Sequence, residues 1–240
     1  SAQRGSIYDR NNNILAMSLP IKTLCINPSK LSKSNDKSIL KLSNDLGISI
    51  NKLRKIIKKN KNKKELYLKR HVSRDIYLKI NSLKNPNLYF ITENKRSYLG
   101  GRSFSNIIGF TDIDDKGQEG IEFVSNKILS PKTGLKKVKK DNIGRPIETL
   151  GILKKPIPGK DIFLTLDKRI QIIGYETLRK YITKFKAESG SIILIESNTG
   201  DIISMTNYPS FNPERRSEFN GNKIKNRAVY DLIEPGSTIK

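Results

Sequence analysis

Ser237 stands three residues before Lys240 in the run Glu234-Pro235-Gly236-Ser237-Thr238-Ile239-Lys240. On a helix that spacing puts both side chains on one face, within reach of each other. A lysine held neutral by burial can accept the serine proton, which makes the hydroxyl a nucleophile. Pro235 and Gly236 suit a sharp turn into a helix. Ser237 would then sit among free backbone N–H groups, where a developing oxyanion is stabilised. Such a pair offers acyl transfer through an acyl-serine. The pattern is short, and it recurs: Ser34, Ser38 and Ser49 also precede a lysine by three. Those three lie in a polar or amphipathic stretch, where a solvated helix face explains them. Only Ser237 has the Pro-Gly approach and follows a pair of strands. By spacing alone, a nucleophile and a solvated surface pair both stay open at Ser237.

Other chemistries find less support. His71 is the one histidine and Cys25 the one cysteine, far apart in sequence, so zinc-type spacing is absent. A Ser-His-Asp triad would have to use His71, which sits in a Lys- and Arg-rich strand-to-helix junction. Gly100-Gly101 lacks a phosphate-loop pattern. Cys25, inside Leu24-Cys25-Ile26, reads as a buried small hydrophobe.

The elements that would position Ser237 begin near Pro156-Ile157-Pro158-Gly159, where two prolines and a glycine interrupt any helix or central strand. Residues 162–166 read as a strand. Asp167 is placed to cap a helix running to about Phe185, with Ile170, Ile173, Leu178, Ile182 and Phe185 at helical spacing. Residues 191–196 and 201–206 read as strands joined by the turn Asn198-Thr199-Gly200. Strand, helix and hairpin in succession indicate an α+β layered domain. Upstream, residues 4–27 read as strand, polar turn and strand. Residues 38–59 read as two helical pieces broken near Gly47, followed by a Lys-rich loop over 58–64. A short strand at 66–68, a helix from Ser73 to Ile80 with Ser73 as its cap, a strand at 88–91, a turn at Gly100-Gly101 and a short helix near 121–129 complete the pattern.

The chain has 240 residues, enough for one large domain or two small ones. Lys and Arg number 46 against 23 acidic residues, a net charge of +23. That excess suits an anionic membrane surface, an acidic polymer or nucleic acid. The lysines are scattered along the whole sequence, however, which favours a general compositional bias. No basic-aromatic stripe or nucleic-acid motif accompanies them, so no nucleic-acid partner is expected. No apolar run reaches the length needed to span a bilayer. The sequence starts at Ser1, so an N-terminal anchor is expected to lie outside it.

Several segments, in order, resemble the class B penicillin-binding proteins. Arg4-Gly5-Ser6-Ile7-Tyr8-Asp9-Arg10 with Leu15-Ala16 resembles the opening motif of that family. Gly117-Gln118-Glu119-Gly120-Ile121-Glu122 resembles its G-x-x-G-[IL]-E motif. Residues 141–147, with Gly144-Arg145, resemble the close of its non-catalytic domain. Ala187-Glu188-Ser189-Gly190-Ser191, Thr199-Gly200-Asp201-Ile202 and Pro209-Ser210-Phe211-Asn212-Pro213 resemble the strands and loop before its nucleophile. The run ending Ser237-Thr238-Ile239-Lys240 completes the order, and S-x-x-K is a signature of this family. Asn226-Arg227-Ala228, residues 144–148 and residues 187–191 lean toward the cell-division branch rather than the elongation branch.

The resemblance implies an α+β chain: a non-catalytic pedestal or dimerisation domain over residues 1–155, then the first part of a β-lactamase-like transpeptidase domain over 156–240. It implies a peptidoglycan D,D-transpeptidase. Ser237 would attack the D-Ala-D-Ala carbonyl of a stem peptide with Lys240 as base, and an amine of a neighbouring stem would resolve the acyl-enzyme. No cofactor or metal is expected. Implied partners are peptidoglycan stem peptides, β-lactams that acylate the same serine, and septal division proteins including a membrane glycosyltransferase. The implied location is the bacterial inner membrane, single-pass, with this region facing the periplasm. The family's Ser-x-Asn and Lys-Thr-Gly elements should follow the nucleophile, and nothing follows Lys240, so the site is expected to be incomplete in this chain. Lys132-Thr133-Gly134 and Ser49-Ile50-Asn51 spell similar letters in the wrong order and are read as coincidence. Tyr98-Leu99-Gly100-Gly101 also departs from the family's usual Tyr-Pro-x-Gly. Two alternatives stay open: a non-catalytic interaction module of the division machinery in place of an enzyme, and an elongation-type transpeptidase in place of a septal one.

Overall fold

Apolar spacing and capping residues set most of the elements. The computed structural model describes residues 2–31, 36–140, 146–232, 234 and 236. In chain order they form β1 (Ile7–Tyr8), β2 (Ile14–Ile26), α1 (Pro28–Leu31), α2 (Asp36–Leu46), α3 (Ile50–Lys59) and β3 (Leu66–Val72). Then come α4 (Arg74–Asn81), β4 (Leu88–Ser97), α5 (Ser105–Ile108), α6 (Gly120–Val124) and α7 (Asn126–Leu129). Next are β5 (Leu135–Lys140), β6 (Pro146–Lys154), β7 (Ile162–Phe163), α8 (Lys168–Phe185), β8 (Gly190–Ile195), β9 (Ile202–Tyr208), α9 (Gly221–Ile224) and α10 (Arg227–Tyr230). The mixture is α+β, as the sequence indicates.

The described residues fall into two compact units interleaved along the chain. One draws on 20–95 and 133–156, the other on 2–19, 96–132 and 157–240. The break near residue 156 is one of the crossings. Others fall after Leu19 and Lys95, inside β2 and β4, where an unbroken strand carries no boundary signal.

In the first unit, the Pro20–Ile26 half of β2 pairs antiparallel with β3, with Leu24 opposite Lys69 and Ile26 opposite Leu66. β4 also pairs with β2. Helices α2 and α3 lay one apolar stripe each on this sheet, so Ile39, Leu42, Leu46, Leu53 and Ile57 join Leu24, Ile26 and Val72 in one core. Side chains of this size contribute about 1.5–3 kcal/mol each when fully buried. Ser49 caps α3, accepting from Lys52 N at 3.4 Å, and Ser73 caps α4, accepting from Ile76 N at 3.5 Å. The Ser49 and Ser38 copies of Ser-x-x-Lys are therefore a cap and an exposed pair on a helix, while Ser34 lies outside the described residues. Cys25 is fully buried, and burial pushes its thiol up to about 12, with Glu65 and Glu93 adding to the effect.

The β5–β6 hairpin has no counterpart in the sequence reading. Its register runs from Leu135 opposite Lys154 to Lys140 opposite Pro146. Among the described side chains neither strand buries a face: Leu135, Ile147, Leu150, Ile152 and Leu153 are all exposed. With no side sheltered, the sequence shows no alternation of period two.

In the second unit, β1 pairs antiparallel with the start of β2 (Ile7 opposite Ala16) and parallel with β7 (Ile7 opposite Ile162). Ile7, Leu15, Ala16, Phe104, Ile108, Leu129 and Leu166 form its core. β8 and β9 form a separate antiparallel hairpin on which α8 packs. The strand expected at 162–166 is confined to Ile162–Phe163, and the helix expected over 121–129 is divided at Ser125 into α6 and α7.

Candidate active-site approach

Ser237 and Lys240 lie outside the described residues, as does Pro235. The described residues before them are joined by polar side chains, most of them buried and hydrogen-bonded.

The opening motif and the G-x-x-G-I-E motif meet at Glu122. Its two carboxylate oxygens accept from Arg4 Nε at 2.7 Å and Arg96 Nε at 2.6 Å, and all three residues are buried. Arg4 also donates to the backbone oxygens of Glu122 (2.9 Å) and Asp115 (3.0 Å), to Asn126 Oδ1 (2.8 Å) and to Ser130 Oγ (3.0 Å). Arg96 Nη1 donates to Gly5 O at 2.7 Å. A buried carboxylate between two guanidinium groups requires such compensation, because an uncompensated charge in the interior costs several kcal/mol. The glycines of the motif make the approach possible. A Cβ on Gly117 would sit 1.8 Å from Glu122 O, and Gly120 has φ of +58° with Ile107 O 2.2 Å from where its Cβ would be. Asp115, beside this cluster, is pushed up to about 6 by burial, against the opposing pull of Arg96 and Arg4.

Asp9 closes the turn after β1. It accepts from Asn11 N (2.8 Å), Asn13 N (2.7 Å), Asn13 Nδ2 (2.9 Å) and Lys168 N (3.1 Å). Asp167 caps α8, accepting from Arg169 N (2.8 Å) and Ile170 N (3.3 Å), and also from Asn11 Nδ2 at 2.8 Å. Two carboxylates thus meet the positive end of α8. Burial opposes ionisation of both, but the hydrogen bonds, led by the side chain of Asn13 for Asp9 and of Asn11 for Asp167, hold each below the usual carboxylate range.

One turn into α8, Gln171 is fully buried and uses its whole amide. Nε2 donates to Ser103 O (2.7 Å) and Met205 O (2.9 Å), and Oε1 accepts from Met205 N (2.8 Å) and Ser204 Oγ (2.9 Å). α8 is thereby fixed to the backbone of β9. At the end of β9, Asn207 Oδ1 accepts from Ser191 Oγ (2.8 Å) and Ala228 N (2.9 Å), while Nδ2 donates to Asn226 Oδ1 (2.9 Å). Arg227 donates to Asp231 Oδ2 at 2.8 Å, and Lys225 pairs with the other oxygen. Between them, the loop 209–219 is anchored by Phe211, which is fully buried against Phe110 and Phe219. Gly236, one residue before Ser237, has φ of +56°, a left-handed conformation that glycine adopts without strain.

The family model for the penicillin-binding protein dimerisation domain matches residues 1–164. The chain belongs to the penicillin-binding protein family. The family model for the penicillin-binding protein transpeptidase domain matches residues 190–240. Among curated relatives, a probable peptidoglycan D,D-transpeptidase PenA of Neisseria meningitidis is 35% identical over all of this chain and 42% of its own length. The peptidoglycan D,D-transpeptidase FtsI of Escherichia coli is 34% identical over all of this chain and 41% of its own. That of Buchnera aphidicola subsp. Baizongia pistaciae is 39% identical over 99% of this chain and 42% of its own. This penicillin-binding protein chain therefore spans about two fifths of the relatives it matches. A peptidoglycan synthetase from Bifidobacterium adolescentis shares the fold, with a TM-score of 0.62 over 98% of this chain and 47% of that one, at 24% identity.

Sequence reasoning named Arg4 and Glu122 only as motif letters, and it missed Arg96, Gln171 and Asn207 altogether. Arg96 ends a strand in a basic stretch with nothing to set it apart. Gln171 could have been noticed as a polar residue one helical turn from Asp167, on the face that carries Tyr175 and Leu178 into the core.

Proposed function

We propose that the chain is the amino-terminal part of a serine D,D-transpeptidase of septal peptidoglycan synthesis. Residues 1–155 are its non-catalytic pedestal, and residues 156–240 open its transpeptidase domain. Ser237 attacks the penultimate D-Ala carbonyl of a stem peptide and expels the terminal D-Ala, with Lys240 taking the serine proton. A neighbouring stem amine then resolves the acyl-enzyme into a cross-link. β-Lactams acylate the same serine. The protein is held at the inner membrane by an anchor before Ser1, with this region in the periplasm beside other septal proteins.

The observation that carries this reading is the Asn207–Asn226 junction, which fastens the β8–β9 hairpin to α10, shortly before the Ser237-Thr238-Ile239-Lys240 motif of the family. The test is release of D-Ala from a pentapeptide stem by the full-length protein. Ser237→Ala and Lys240→Ala should each abolish it. Retained turnover in Ser237→Ala would remove the assignment.

A second reading, a non-catalytic interaction module, is favoured by the apolar residues exposed on β5–β6. Ile152→Glu should then weaken co-purification of a division protein while penicillin labelling of the full-length protein stays intact. Unchanged co-purification removes this role.

A further inference from the structure

One element of the fold carries a dense run of cations. Lys52, Arg54, Lys55, Lys58 and Lys59 are all exposed on α3. The turn that follows adds exposed Lys61, Lys63 and Lys64. Residues 51–64 contain no acidic residue and no aromatic one. Opposite this face, Leu53 and Ile57 are buried in the core of their unit, with Ile50 packed against it. At 100° per residue, Lys52, Lys55 and Lys59 point away from that core and Lys58 flanks them. Such a face costs the helix something, because Arg54–Lys58 and Lys55–Lys59 are like charges four apart. The apolar anchor of Leu53 and Ile57 holds this face in place.

We infer that the basic face of α3 and its following turn is an adhesion surface for an anionic lipid bilayer. Four features favour a lipid surface over other polyanions. Seven of the eight cations are lysine, a compact hydrated point charge, rather than the forked guanidinium suited to discrete phosphates. No aromatic residue interleaves them to stack a nucleobase. The buried apolar side chains of the helix, Leu53 and Ile57, are turned inward, so the exposed face is polar and predominantly cationic and adsorbs to headgroups without inserting. From Lys52 to Lys59 the charges run along about 10 Å of helix at the 1.5 Å rise per residue and continue into the turn, a row that matches a continuous field of headgroups.

The 240-residue chain is tested by sedimentation with vesicles of phosphatidylcholine alone, or of phosphatidylcholine with phosphatidylglycerol. Each lysine near such a surface strengthens binding about fivefold at moderate ionic strength. The chain should sediment with the phosphatidylglycerol vesicles, stay in solution with phosphatidylcholine, and be released by salt. Lys55→Gln, Lys58→Gln and Lys59→Gln together should weaken binding more than about tenfold. The same three changes at the exposed Lys180, Lys184 and Lys223 should leave it within about threefold. Circular dichroism confirms that both triples fold, which substitutions at exposed positions permit. Equal loss in the two triples would show that net charge, not this face, is responsible. Equal binding to both vesicle types, or tighter retention by an oligonucleotide or by isolated peptidoglycan at the same salt, would also overturn the inference.

Discussion

Asn207 Nδ2 donates to Asn226 Oδ1 at 2.9 Å, and the same Asn207 amide accepts from Ser191 and from the backbone of Ala228. One buried side chain thus ties β8, β9 and the first turn of α10 together, and α10 precedes Ser237 in the sequence. Asn207→Ala strands a hydroxyl, a backbone N–H and an amide. Each buried polar group left without a partner costs about 1–3 kcal/mol. We expect the 240-residue chain to lose about 2 kcal/mol or more in urea unfolding, and penicillin labelling of the full-length protein to slow at a temperature where the variant is still folded.

Glu122→Gln keeps the shape of the side chain and removes the charge between Arg4 and Arg96. Breaking a buried ion pair from one side costs about 3–5 kcal/mol, because the remaining charges are uncompensated. The urea midpoint of the variant should drop accordingly. A midpoint equal to that of the parent would mean that the arginines find equivalent partners without Glu122.

Asp115 gives a pH signature of defined sign. Its carboxyl titrates at about 6 in the folded chain against 3.8 for an unperturbed group, so the folded state binds the proton more tightly. Stability from this group therefore falls as pH rises from about 4 to about 6 and stays low above that. Asp115→Asn should flatten this slope and gain about 1–3 kcal/mol at neutral pH. A variant whose pH profile parallels the parent through this window would contradict the assignment.

Asp9 and Asp167 have the opposite sign. Their folded carboxyls lie below 3.8, so the stability they add is present above that value and is lost as pH falls through their folded range. Asp167→Ala removes the cap of α8 and should cost about 1 kcal/mol at neutral pH, with the difference vanishing in acid. Thermal unfolding at neutral and strongly acidic pH reads this directly.

How much of this was legible depended on whether a residue's neighbours are local. Asp167 and α8 were readable to the residue, because a cap and an apolar stripe depend only on positions nearby in sequence. The two helices either side of Gly47 were legible for the same reason. β5 and β6 were not, since among their described side chains no face is buried and the strands pair with each other. Arg96 and Asn207 were hidden because their partners come from distant segments: Arg96 meets Glu122 and Gly5, and Asn207 meets Asn226 and Ser191. Ser237 is proposed as the nucleophile from the order of motifs before it, and Gly236 is the last described residue of that segment.

The most direct measurement is peptide mapping by mass spectrometry of the full-length protein after reaction with a penicillin. The account predicts a single penicilloyl adduct on the peptide containing Ser237, absent from Ser237→Ala. An adduct on any other serine, or labelling that survives Ser237→Ala, would contradict it.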